Sequence, residues 1–244
     1  MDRLFLRKTS LVDYPSKVAA VLFFAGCNLR CPWCQNRELV LPDLLVGRTD
    51  LLSIDEVECY LVKRRSVLGG VVLSGGEPTL RADLGRIVKR LKALGFPVKL
   101  DTNGMNPGLL EGLFSQEETR PDYIALDLKL PPKRYGELSV RGLSEGSVDT
   151  QGEAGEALKE SAALIRSSGI AHEFRSLALP EAYLKPEEIC AMAAMVDDAP
   201  WYFRVFRAGN CLNPLWNTLE APDPKAAAAL ARKACEADKR GIGA

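Results

Sequence analysis

Short apolar runs alternate with helix-patterned stretches along almost the whole chain, and that alternation is the tightest constraint on its fold. "VAAVLFF" (18–24), "GGVVLSGG" (69–76), "FPVKLDTNG" (96–104), "DYIALDLKL" (122–130), "HEFRSLALP" (172–180) and "YFRVFRAG" (202–209) read as strands. Between them lie helical periods. Ser53 and Glu56 form a capping box before Ile54, Val57, Tyr60 and Leu61. A helix expected from Thr79 carries Leu80, Leu84, Ile87, Val88, Leu91 and Leu94 on one face. Others are expected over 107–118 and 154–168, and from Pro186 with Ile189, Met192 and Val196 inward. Asp223 and Pro224 open an alanine-rich last helix. Six β-then-α units imply an α/β fold with a parallel sheet, which right-handed crossovers curl into a full or partial barrel. A length of 244 residues suits one domain over 1–244.

Active sites of such barrels lie at the carboxyl ends of the strands. There the sequence places a cysteine loop, then "SGGE" (74–77), "DTNG" (101–104), "DLK" (127–129), Arg175 and "FRAGN" (206–210). Polar residues and glycines collect at one end of every strand, which folding alone does not require. The stretch 136–155, rich in Gly and Ser, reads as a long loop on that face, either functional or a plain surface insert.

Thirty-two basic and thirty-two acidic residues balance, so charge gives no argument for a nucleic-acid or membrane partner. No apolar run approaches the roughly 20 residues of a membrane span, and a cytoplasmic location is expected. In a reducing compartment Cys59, Cys190, Cys211 and Cys235, which form no CxxC pair, read as buried small hydrophobes. The cluster "GCNLRCPWCQN" (26–36) is different. Cys27, Cys31 and Cys34 are one ligand short of a structural zinc site, and the chain's one histidine, His172, belongs to a distant strand.

C-x3-C-x2-C resembles the signature of the radical S-adenosylmethionine (SAM) superfamily, which implies a partial (β/α)6 barrel. By that resemblance Cys27, Cys31 and Cys34 hold three irons of a 4Fe-4S cluster, and SAM chelates the fourth. Trp33 would pack near the adenine, with a core tryptophan as the plain alternative, and Asn36 would offer its backbone. "SGGEP" (74–78) is similar to the family's GGE motif, so Gly75, Gly76 and Glu77 would receive the methionine ammonium, the glycines allowing close backbone approach.

A finer resemblance is to the glycyl-radical enzyme activases, pyruvate formate-lyase activating enzyme among them, through "LDTNG", "LDLK" and "EFRSLALP". It implies that Asp101, Thr102 and Asp127 hold a monovalent cation, Asn103 lies in the SAM site, Lys129 faces the SAM carboxylate or ribose, Arg175 binds SAM and Leu177 lies by the adenine. For Asp127 and Lys129 a strand-end ion pair is the plain alternative. The stretches "LRKTSLVDYPSKVAAVLFFAGCNLRCPWCQNRELV" and "YFRVFRAGNCLNP" are similar to the anaerobic ribonucleoside-triphosphate reductase activating branch. Arg207 stands about where pyruvate formate-lyase activase has a histidine, and the eight-cysteine insert of some activases is lacking.

The resemblance implies an oxygen-sensitive oxidoreductase of anaerobic metabolism. One electron from a flavodoxin or ferredoxin cleaves SAM to methionine and a 5′-deoxyadenosyl radical, which abstracts hydrogen from a glycine of a partner glycyl radical enzyme. A radical SAM enzyme acting on a small molecule or peptide, and a non-catalytic iron–sulfur protein, are the alternatives.

Overall fold

In a computed structural model of the chain, the residues described are 3–138, 152–223 and 225. They form two compact units. Of the described residues, the first draws on 3–27, Glu38–Thr102 and Gly108–Ile124, the second on Asn28–Arg37, Asn103–Pro107 and those from Ala125 onward.

In the first unit the strands follow the order β3 (Leu52–Ser53), β1 (Arg3–Ser10), β2 (Ala19–Phe24), β4 (Gly70–Gly75), β5 (Val98–Thr102). β2, β4 and β5 pair in parallel, with Phe24 opposite Gly75 and Leu73 opposite Leu100. β5 is buried at every position, as expected of a strand covered on both faces. β1 is an addition to the expected set. It runs antiparallel to both β2 and β3; its charged residues Arg7 and Lys8 hid the strand in the sequence, and Leu4 and Ser10 on it are buried.

The helices of this unit are α1 (Arg37–Val40, from Glu38 onward), α2 (Ile54–Lys63), α3 (Leu84–Ala93) and α4 (Pro107–Phe114, from Gly108 onward). The Ser53–Glu56 capping box of α2 is present, and Val57 and Leu61 are buried. The helix expected from Thr79 begins later. Pro78–Leu80 is a single 3-10 turn, because the Glu77 side chain accepts the Thr79 N–H. Leu80 is therefore exposed, while Leu84, Ile87, Val88 and Leu91 are buried as expected. α4 ends at Phe114, short of 118.

In the second unit the order is β6 (Tyr123–Asp127, from Ala125 onward), β7 (Ala171–Ala178), β8 (Trp201–Val205), with β7 and β8 parallel. α5 (Glu153–Ser167) and α6 (Pro186–Val196) accompany them, and Ile189, Met192 and Val196 point inward. The expected loop 136–155 is shorter at both ends. Residues up to Leu138 belong to a 3-10 helix from Pro132, and α5 starts at Glu153, where Gly155 packs on the Pro132 backbone. Residues 139–151 of that loop, the last helix and Cys235 lie outside the described residues. No helix among the described residues is long and apolar enough to cross a membrane.

Candidate active site

The first unit closes its strand ends tightly. The Gly76 N–H donates to the Phe24 carbonyl and the Glu77 N–H to the Gly26 carbonyl, both at 2.8 Å. A methyl on Gly76 would collide with the Gly26 carbonyl, and one on Gly75 (φ +124°) would meet Phe24 O at 2.5 Å. The glycines thus bring backbone against the chain's own backbone, beside Cys27. Glu77 is 1% exposed, and its Oε1 accepts from the Thr79 N–H, the Thr79 hydroxyl and the Thr102 hydroxyl. It ties the turn after β4 to the end of β5. On β5 the Lys99 ammonium donates to Asp101 Oδ1 at 2.5 Å, with the two side chains 1% and 10% exposed. Two of the residues expected around a cation are therefore already engaged, Asp101 by Lys99 and Thr102 by Glu77.

The third, Asp127, lies in the second unit. Arg175 Nε donates to its Oδ1 at 2.9 Å and Lys129 Nζ to its Oδ2 at 3.2 Å. Burial alone would raise the carboxyl's pKa, but the Arg175 and Lys129 cations outweigh it and hold the group well below the usual carboxylate range. The strand-end ion pair is thus the arrangement seen. Tyr135, which carries no sequence signal, pins this end of the chain. Its buried hydroxyl accepts the Lys129 N–H at 2.9 Å and donates to the Asp127 carbonyl at 3.2 Å. Leu177, two residues beyond Arg175 on β7, shares its face and is half-buried. Asn103 is buried; its amide donates to Asn28 at 2.8 Å and its carbonyl oxygen accepts the Met105 N–H.

The part of the cysteine loop in this unit is held by the segment that follows β8. The Leu212 N–H donates to the Cys34 carbonyl at 2.8 Å and the Asn213 N–H to the Pro32 carbonyl at 3.0 Å. Gln35 donates to the Arg207 carbonyl at 2.7 Å. Trp33 is buried and packs on Trp216 with ring centres 5.1 Å apart; Trp216 also meets Tyr183 and Phe206. The indole thus sits in an aromatic cluster built by the segment after β8. Asn36 is exposed, and its N–H faces the Cys34 sulfur. Arg207 is exposed. Sequence reasoning missed Trp216, and it singled out the stretch holding 211–213 without its contact to the loop, because only the return of the chain after β8 makes that contact.

The donor set fits an iron–sulfur cluster. Cys27, Cys31 and Cys34 are thiols outside any disulfide; Cys31 is buried and the other two are partly exposed. Burial raises the Cys34 pKa, while the Asn36 N–H and the Lys129 and Arg30 cations favour its thiolate. Among the described residues no three His, Cys, Asp or Glu side chains converge on one metal ion. A cluster does not need that, since each thiolate meets its own iron. Of the four scattered cysteines, Cys211 is buried as expected, but Cys59 and Cys190 are exposed. They sit on the outward faces of α2 and α6, beside the buried Val57 and Ile189.

The family model described as the Radical SAM superfamily matches residues 21–189. Over 129 residues the chain is 37% identical to a Methanocaldococcus jannaschii protein named for glycyl-radical enzyme activation, covering 52% of this chain and 50% of that one. Over 96 residues it is 38% identical to the 7-carboxy-7-deazaguanine synthase of Aquifex aeolicus, covering 38% of each. The chain thus spans about half the length, or less, of these relatives. In fold it resembles a radical SAM methyltransferase from Sphaerobacter thermophilus, with a TM-score of 0.61, 13% identity, and coverage of 94% of this chain and 65% of that one.

Proposed function

The chain belongs to the radical SAM superfamily, an α/β fold of the partial-barrel type whose members bind a 4Fe-4S cluster and SAM, and on that premise we propose that this radical SAM enzyme is a glycyl-radical enzyme activase. The observation that carries the reading is the 37% identity to a protein named for that activity. The proposal takes 1–244 as one radical SAM domain in the cytoplasm, with a glycyl radical enzyme as protein substrate and flavodoxin or ferredoxin as electron donor.

Cys27, Cys31 and Cys34 would hold the cluster. When bound, cluster and SAM supply one-electron reductive cleavage of the sulfonium, giving methionine and a hydrogen-abstracting 5′-deoxyadenosyl radical. The hydrogen taken is that of a partner's glycine Cα, where flanking amides stabilise the radical left behind. The chain's own groups bind and orient. Lys129 and Arg175 both donate to Asp127, and that gathering of two cations at one strand end supports their reading as the receptors of the SAM carboxylate. Gly75, Gly76 and Glu77 shape the turn that presents backbone oxygens to the methionine ammonium. Trp33, Asn36, Asn103 and Leu177 complete the adenosyl surroundings. No acid–base pair is called for; the site's work is to exclude water and hold the donor close.

The 38% identity to a 7-carboxy-7-deazaguanine synthase favours a second reading, a radical SAM enzyme of a small molecule. Anaerobic electron paramagnetic resonance separates them. Reconstituted protein is mixed with SAM, a strong reductant and the candidate glycyl radical enzyme. A glycine doublet on the partner with matching 5′-deoxyadenosine is expected. Deoxyadenosine with no protein radical would move the substrate to a small molecule, and no SAM cleavage at all would sink both readings. Cys27, Cys31 or Cys34→Ala should lose the cluster, whereas Cys211→Ala should keep it.

A further inference from the structure

Lys99 is the least expected buried group in the chain. It lies in the middle of β5, in "VKLDT", and its side chain is 1% exposed. A lysine so enclosed is rare unless its charge is met, because an isolated buried ammonium is costly. Its charge is met by Asp101, two residues on along the same strand face, at 2.5 Å. The ammonium also lies 5.8 Å from the Tyr123 ring centre, and that ring packs 6.0 Å from Tyr14. Lys99 therefore reaches Asp101 from a floor of aromatic rings, with its stem fixed by the buried strand.

Asp101 is the residue that the family resemblance would give to an exchangeable monovalent cation. The donor set here does not fit that role. Asp101 already carries a fixed positive charge at hydrogen-bond distance. In the other unit Asp127 has its own two cations. An ammonium has the charge of a potassium ion and a similar size. Tethered to the chain it has a high effective concentration and cannot be washed out.

We infer that Lys99 is the built-in counter-ion of Asp101, in place of an exchangeable monovalent cation, so that the binding of SAM by this chain is independent of sodium and potassium. Lys99 is a positioning residue: it acts through Asp101. The inference rests on the radical SAM reading only for its SAM readout.

The test compares choline chloride with potassium or sodium chloride, each at about 0.1 M so that screening is equal. Two quantities are read on the full chain: the melting midpoint of the cluster-free protein, and the SAM dissociation constant of the reconstituted protein. For the unaltered chain neither should change, the dissociation constant staying within about twofold. Lys99→Met should melt lower in choline and recover part of the loss, saturably, in potassium or sodium. Its SAM affinity should fall about tenfold or more in choline and return with the small cation.

The inference is overturned if the unaltered chain melts lower or binds SAM markedly less tightly in choline. It is also overturned if a folded Lys99→Met variant shows no preference for potassium or sodium over choline. If Lys99→Met folds in neither salt, the unaltered chain decides alone by the same criterion. The double variant Lys99→Met with Asp101→Asn removes both charges and should fold without cation preference; a preference retained there would place the cation elsewhere and sink the idea. If the unaltered chain binds SAM in no salt, the assigned SAM contacts fail, while the melts still judge Lys99.

Discussion

Asp101 and Asp127 put the same side chain at or next to the carboxyl end of a strand, yet their surroundings differ. Asp101 is enclosed and meets one cation, Lys99, inside a region where Glu77 and Thr102 are also buried. Asp127 is one-third exposed and meets two, Lys129 and Arg175. The first arrangement is closed, part of what the fold must build. The second gathers two cations at one carboxylate and is more exposed to solvent, so a ligand from solution can reach it. The difference is one of enclosure: one carboxylate is sealed in the fold, the other lies where solvent reaches it.

The contrast can be broken most directly at Lys99. Lys99→Met takes the ammonium away from the buried Asp101 carboxylate and should cost about 3–5 kcal/mol in denaturant unfolding, measured in choline. A cost near zero would mean that Asp101 is not truly enclosed. Gly76→Ala should come next, at about 3 kcal/mol, since its methyl has only the Gly26 backbone to displace. Gly209→Ala in the second unit is the control. That glycine has φ +125° but nothing within 4 Å, so only backbone strain of about 1 kcal/mol is expected. Equal losses at the two glycines would erase the distinction between closed and open regions.

Arg175→Met and Lys129→Met should behave differently from Lys99→Met. Stability should change by about 1 kcal/mol or less, as for partly exposed pairs, while SAM affinity drops about tenfold. A stability loss as large as that of Lys99→Met would put Asp127 in the folding class as well. The smallest effect concerns pH. The Asp127 pKa is depressed in the folded chain, so its contribution to stability is complete above the unfolded value of about 3.9 and is lost as pH falls toward the folded value. The stability difference between the parent and Asp127→Asn should be flat from about pH 8 to 5 and shrink only below about pH 4. A gap that closes between pH 7 and 5 would contradict the ion-pair geometry.

Much of this was legible in sequence. The strands from "VAAVLFF" to "YFRVFRAG" announced themselves by apolar runs, and the capping box at Ser53 placed α2 correctly. Lys99 was legible too, though unread: a period of two puts it on the same face as Asp101, and a lysine inside an otherwise apolar strand asks for a partner. The delayed start of α3 was not legible, because it depends on Glu77 capturing the Thr79 N–H and hydroxyl. Nor was the exposure of Cys59 and Cys190, since a cysteine's burial follows the helix face and not its residue type alone.

By itself the sequence determined the β-then-α alternation, the three-thiol loop and the polar residues at the strand ends, because periodicity and spacing are local and act before the chain is folded. Only the tertiary structure decided who meets whom: Trp216 on Trp33, Leu212 and Asn213 on the cysteine loop, Arg175 on Asp127. Those partners lie 48 to 183 residues apart, as between Asp127 and Arg175 or Trp33 and Trp216. Such pairs form only when loop closure and burial together make the contact worth its entropy, and no local pattern records that balance.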